Sequence, residues 1–437
     1  MRRNWVVFVA AAMVVATGCS GQREGPSGEI AAPPRDPAKV SGEITVLTNR
    51  TDQISDGTLK KYAAEFNMVY PGVKVTFEGL TDYEGETKIR MNTENYGDVL
   101  LIPNSLSVQQ YPTFFAPLGK AGDLSAKFDY TDHATVDGKV YGLANIGVAN
   151  GFVYNKAVWA KAGISDWPAT PEEFVADLET IKTKTGAVPY YTNYKDGWPL
   201  TNWTNAIGSP DCDPGAYDAL ATTEKPWTKG SDLYTIDRLL YTIVEKKLAE
   251  PDPTTTNWEN SKSQIGTGKV ASMWLGSWAI SQMRAAAEAA GENPDDIGFM
   301  PFPAQKDGKF CSVLRPDYQY AVNVHSDAKA AARAWIDWYI TKSGQSASEG
   351  SISSVKGAPL PDTLKAFVDN DVTLIPQHQK NIVQVNAINK ASEIGITAQD
   401  YRQKLVDVAR GAADGNMDSY FGELNGKWAE AHQTLGG

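Results

Sequence analysis

Where its periodic part begins, the chain carries two β-rich runs on either side of one amphipathic helix, and this unit restricts the architecture more than any other stretch. Glu43-Ile44-Thr45-Val46-Leu47-Thr48 reads as a strand. Leu59, Tyr62, Ala63 and Phe66 fall on one helix face, Tyr70-Pro71-Gly72 turns the chain, and Val73 to Phe77 alternates in period two. In that order they form a βαβ unit, whose parallel strands need helices over the sheet. Open sheets of this kind bind ligands beyond their strand ends, where backbone N–H groups and helix dipoles point into a crevice.

A second strand-to-helix junction lies at Ile265 to Trp278. The apolar strand Val270 to Leu275 is reached through Gly266 and Gly268 and left through Gly276, with Ser277 placed to cap a helix from near Trp278. The indole of Trp278 either stacks on a ligand or fills a core corner, and the local residues leave both readings open. Gly266-Thr267-Gly268-Lys269 is no phosphate cradle, because Val270 follows the lysine where Ser or Thr is needed.

At the N-terminus, Arg2 and Arg3 precede an apolar run from Trp5 to Ala16, too short for a mature membrane span and laid out as a secretory signal. It ends in Ala16-Thr17-Gly18-Cys19, a bacterial lipobox. Residues 1–18 are therefore read as signal peptide, Cys19 as the lipidation site, and residues 19–42, rich in Gly, Pro and Ser, as a tether. The expected location is extracytoplasmic, on the outer face of the cell membrane. Loss of Arg2 and Arg3 moves the net charge from −11 to −13, which argues against nucleic acid and other polyanionic partners.

Two further cysteines, Cys212 and Cys311, are a candidate disulfide in an exported chain, although sequence leaves free thiols equally open. With four histidines and no paired ligand spacing, neither a metal site nor a cofactor is expected. The residues after 42 exceed the usual size of one core, so two domains are expected. Further along, Tyr83 to Met91 reads as a helix and Asp98 to Pro103 as a buried strand. Thr170 caps a helix that opens with Pro171 and stops at Gly186, and Met283 to Ala290 is a helix stopped by Gly291. The stretches Val140 to Leu143 and Gly151 to Lys156 are extended pieces joined by a Gly-containing connector suited to a hinge. The tail, Ala387 to Gly411 and Ser419 to Leu435, reads as helical.

The ordered set Tyr70-Pro71-Gly72, Asp98-Val99, Gly138-Lys139-Val140-Tyr141-Gly142, Tyr154-Asn155-Lys156, Pro171-Glu172-Glu173-Phe174, Gly276-Ser277-Trp278 and Pro301-Phe302-Pro303 resembles the extracellular solute-binding proteins, family 1, of carbohydrate ABC importers. The resemblance runs from about Glu43 to the C-terminus. It implies an α/β, two-lobed periplasmic-binding-protein-like fold (type II), each lobe a mainly parallel sheet flanked by helices, joined by hinge strands. Residues 43–147 plus 302–354 would form the N-terminal lobe and 148–301 plus 355–437 the C-terminal lobe. It also implies a monomer that binds a carbohydrate in the cleft, presents it to permease subunits by lobe closure, and catalyses nothing.

Carried over by position, the cleft contacts are Asn49 and Asp52, Asp98, the aromatic segment with Trp198 and Trp203, and Trp278. Val148 stands where the malto-oligosaccharide branch often has an acid. Asn104, Trp258 and Tyr318 are added at expected loop positions, since sugar rings offer C–H faces to aromatics and hydroxyls to polar groups. Two other classes stay in view. A secreted glycoside hydrolase needs two carboxylates across the scissile bond, and no pair stands out. A binder of a polyamine or a glycerophosphodiester would keep the two lobes and change the ligand; the polyamine suits the acidic charge.

Overall fold

The computed structural model describes residue 31 and residues 36–435. The signal peptide, Cys19 and most of the tether lie outside the described residues. Two sheets of six strands each carry a lobe, and a small three-stranded sheet lies beside the first. The βαβ unit forms as expected: Ser41–Thr48 and Gly72–Gly79 pair in parallel along their whole length, joined through the helix Thr58–Val69, whose Leu59, Tyr62 and Phe66 are buried. Val99–Leu101 continues the sheet in parallel, and Gln319–Asn323 then enters antiparallel beside it. Its core runs from Val40 to Leu143 and takes in the helix Lys329–Thr341 with the buried Trp335.

In the second sheet the axis is the long strand Gly147–Asn155. Ser272–Gly276 and Ile297–Met300 pair with it antiparallel, Lys309–Pro316 antiparallel at its start, and Thr373–Pro376 lies parallel to Lys309–Pro316. Both faces of the long strand are covered. Phe152 enters one core with Trp203 and Trp274, while Ala149 and Val153 enter another with Met273 and Leu275. That double burial is why the strand carries apolar residues on both of its faces.

The helix-flanked sheets agree with the expected class, but three details are corrected. The second sheet is mostly antiparallel, because the neighbours of the long strand return from helices instead of crossing over from it. Strand Lys309–Pro316 belongs to the second sheet, so the chain leaves that lobe between Pro316 and Gln319 and not at residue 302. The tail holds three helices, Ile382–Ala391, Gln399–Ala409 and Met417–Thr434, separated where Gly395, Gly411 and Gly415 take positive φ.

Three stretches therefore join the lobes. The first enters the long strand at Gly147, the second follows Pro316, and the third lies beyond Ile352. There Gly147 N–H donates to Ile352 O at 2.8 Å and Ser354 Oγ donates to Ala144 O at 2.7 Å, before Leu364 and Phe367 enter the second lobe.

Cys212 and Cys311 are joined in a disulfide that closes a span of 99 residues within the second lobe. Replacing both with serine is expected to cost about 2–4 kcal/mol in chemical denaturation. A denaturation midpoint equal to that of the oxidised wild type would show that the crosslink adds nothing.

Candidate ligand-binding site

At one end of the second sheet three tryptophans from three chain segments meet. Trp198 opens the short helix Trp198–Thr201, entered through Gly197 at φ 72°. Trp258 opens the helix Trp258–Gly266, where the Asn257 side chain caps by accepting from Asn260 N–H and Asp196 Oδ2 accepts from Trp258 N–H at 2.5 Å. Trp258 therefore begins a helix and does not sit in the expected loop. Trp278 is the N-cap of Ala279–Ala289. Ser277 does not cap this helix: its Oγ accepts from Ala149 N–H at 3.2 Å and ties the junction to the long strand.

Ring centroids lie 4.9 Å apart for Trp198 and Trp258, 5.6 Å for Trp258 and Trp278, and 5.9 Å for Trp198 and Trp278, the first two edge to face. All three rings are half-buried, resting on the apolar cluster beneath and leaving part of their surface to solvent. Gly276 is required under them. A Cβ there would come within 2.4 Å of Trp278 Nε1 and 2.6 Å of Val148 Cγ1, so the indole rests directly on bare backbone.

The two loops that carry Trp198 and Trp258 are laced together behind the rings. Lys195 N–H donates to Thr256 Oγ1 at 2.8 Å and Asn257 N–H to Tyr191 OH at 3.3 Å. Glu250 accepts from Thr192 N–H at 2.7 Å and from the Thr192 hydroxyl. Burial pushes the Glu250 carboxyl up to about 7, against the hydrogen bonds that favour its charged form. Its folded pKa exceeds the ordinary carboxylate value, so the folded state binds this proton more tightly than the unfolded chain. The contribution to stability is then full at pH 4 and lost as the pH rises towards 7. Expected is a wild-type fall in stability between pH 5 and 8 that is shallower in Glu250→Gln; parallel pH profiles by thermal melting would refute it.

The other nominated residues lie elsewhere. Trp203 is fully buried, its Nε1 donating to Tyr190 OH at 3.0 Å and its ring packed on Phe152 and Trp274, so it presents no face to a ligand. Asp98 fastens the first sheet, accepting from Thr45 N–H at 2.8 Å and from Ser326 Oγ at 2.6 Å. Asn104 and Tyr318 meet at Glu84 Oε1, which accepts from Asn104 N–H at 2.9 Å and from the Tyr318 hydroxyl at 3.1 Å. Asn49 is exposed, and exposed Asp52 takes Arg50 in a bidentate pair.

Sequence reasoning missed Arg50 and Glu349. Arg50 Nη1 donates to Glu349 Oε2 at 2.8 Å, Gln53 Nε2 to Glu349 Oε1 at 2.8 Å, and Ser281 Oγ to Glu349 O at 2.7 Å. Ser281 lies in the first turn of the helix that Trp278 caps, so this network links the first-lobe loop to the tryptophan corner. A half-buried glutamate between distant segments leaves no local pattern. Among the described residues no group of three or more His, Cys, Asp or Glu is arranged to hold a metal, and no helix is long and apolar enough to cross a membrane.

A family model described as bacterial extracellular solute-binding protein matches residues 51–346. A curated relative, an uncharacterised ABC transporter extracellular-binding protein of Pyrococcus horikoshii, is 26% identical over 292 residues, and the match spans only 61% of either chain. Among solved structures, an ABC-transporter binding protein of Bifidobacterium animalis subsp. lactis in complex with mannobiose superposes with a TM-score of 0.85 at 33% identity, covering 94% of this chain and 98% of that one. A manno-oligosaccharide-specific solute-binding protein of the same organism, holding mannotriose, gives a TM-score of 0.85 at 31% identity with the same coverage.

Proposed function

The chain belongs to the bacterial extracellular solute-binding proteins, and from that premise we propose that it captures a short neutral oligosaccharide, of the manno-oligosaccharide kind, between its lobes and delivers it to the permease of an ABC importer. The observation that carries this reading is the corner of Trp198, Trp258 and Trp278. Half-buried indoles at the end of a sheet offer apolar faces to the C–H faces of pyranose rings. Two relatives at 31–33% identity hold mannobiose and mannotriose, which supports the choice of sugar. The protein acts as a monomeric binder and not as a hydrolase, and Cys19 holds it by lipid to the outer face of the membrane. Incorporation of a palmitate analogue that disappears in Cys19→Ser checks the anchor; equal labelling of the variant refutes it.

The test of the ligand is a thermal-shift and calorimetric screen of the chain from Ser20 onward against mannobiose, mannotriose, other oligosaccharides, spermidine and glycerophosphodiesters. A ligand at 100 times its Kd stabilises by about 2.7 kcal/mol, and a response to manno-oligosaccharides without turnover is expected. A response to spermidine or a phosphodiester, with none to any sugar, would overturn the sugar reading. Hydrolysis of an oligosaccharide would overturn the binder reading.

A further inference from the structure

Strand register brings a polar group to the foot of the tryptophan corner. Gly276, two residues before Trp278 and beside Val148, pairs with Asn150, and across the long strand Arg315 pairs with Val148. Paired residues of an antiparallel ladder present their side chains to one face. Val148, Asn150, Gly276 and Arg315 therefore share a face at the end of the sheet where Trp278 rests.

On that face the polar valences are incompletely used. Arg315 Nη1 donates to Asn205 Oδ1, but Arg315 Nε has no partner. Asn205 Nδ2 donates to Asn202 Oδ1 at 3.4 Å, while Asn202 Nδ2 has none. Asn150 Nδ2 donates to Val313 O at 3.2 Å and its Oδ1 has none. Buried polar atoms without partners are uncommon and each costs about 1–3 kcal/mol. All three atoms are closed off from solvent, whereas the Arg315 and Asn205 residues are only half-buried, so it is the remaining donors of these two side chains that are placed to meet ligand hydroxyls.

Resting on the oligosaccharide reading above, we propose that Arg315 and Asn205 form the polar end of the groove, and that Val148 sets its span between them and Trp278. The distance from the Trp278 segment to Arg315 across the long strand is two inter-strand spacings, about 10 Å. A disaccharide bridges that length and a monosaccharide does not. One ring stacks on the tryptophan corner, the second lies over the Val148 methyl groups, and its hydroxyls accept from the guanidinium and the Asn205 amide. An acid at 148 would pair with Arg315 across the strands and remove the donors from the ligand.

The experiment is a tryptophan-fluorescence titration of wild type, Asn205→Ala, Val148→Asp and Arg315→Gln with mannose, mannobiose and mannotriose, with melting temperatures recorded for each. Wild type is expected to gain steeply from mannose to mannobiose. Asn205→Ala and Val148→Asp, which leave the guanidinium in place, are expected to lose tenfold or more of mannobiose affinity and less than twofold of mannose affinity. Arg315→Gln should follow them if it folds. Variants that keep the wild-type ratio of disaccharide to monosaccharide affinity, or lose both alike, would overturn the assignment while leaving the oligosaccharide reading intact. A wild type that binds no sugar would instead remove the reading on which the assignment rests.

Discussion

Trp278→Ala is expected to weaken oligosaccharide binding by about 2–4 kcal/mol, thirtyfold to a thousandfold, with little loss of stability. The indole touches two other rings of the corner, so its removal takes away a stacking face and the edge against which Trp198 and Trp258 are set. Gly276 and Val148 below it stay in place, and the helix Ala279–Ala289 takes no side-chain cap from residue 278, so the fold does not depend on it. Calorimetry gives the affinity and thermal melting the stability. Full affinity in a cooperatively folded variant would place the ligand elsewhere, and a collapsed melt would make Trp278 a core residue.

Asp237→Ala should be the most damaging single change in the second lobe, at about 3–5 kcal/mol. Asp237 and Arg402 are completely buried, with Arg402 Nε donating to Asp237 Oδ1 at 2.9 Å. Trp227 Nε1 donates to Asp237 Oδ2 at 2.8 Å, the Tyr401 hydroxyl donates to the same oxygen, and Arg402 Nη1 reaches Thr204 Oγ1 at 2.6 Å. Removing the carboxylate strands a guanidinium where water cannot reach it. Replacing both residues together, Asp237→Leu with Arg402→Met, is expected to cost less than Asp237→Ala alone, because no unpaired charge is left behind. Urea denaturation of the three proteins decides it, and equal losses would mean that packing and not charge holds this region.

The sequence revealed what is periodic and local. The parallel unit at Glu43 to Phe77 and the Thr170-capped helix formed as read, Glu173 N–H donating to Thr170 Oγ1 at 3.1 Å, because apolar spacing and capping act over a few residues. Trp258 and Trp278, which stand out in the sequence for different reasons, do meet. Trp203 carries the same aromatic signal as Trp198 yet lies in the core, and nothing local separates them: five residues apart, one follows a left-handed glycine to the surface and the other turns inward against Phe152. Asp98 precedes a strand as a ligand-facing acid would, yet its two oxygens are taken by Thr45 and Ser326, a partner 228 positions away. The pairing of Cys212 with Cys311 and the return at Pro316 depend likewise on contacts between distant segments.

The Asp237–Arg402 pair also constrains the order in which this molecule comes into being. Its partners are 165 positions apart, and a ribosome adding 5–20 residues per second takes about 8–33 s to make that stretch. Throughout that interval the acid is on hand and its cation does not yet exist, so the second lobe has no low-energy way to close over Asp237. A chain cut short before residue 402 never leaves that condition, so nonsense mutations even late in the gene should leave material for proteases, not a shortened receptor.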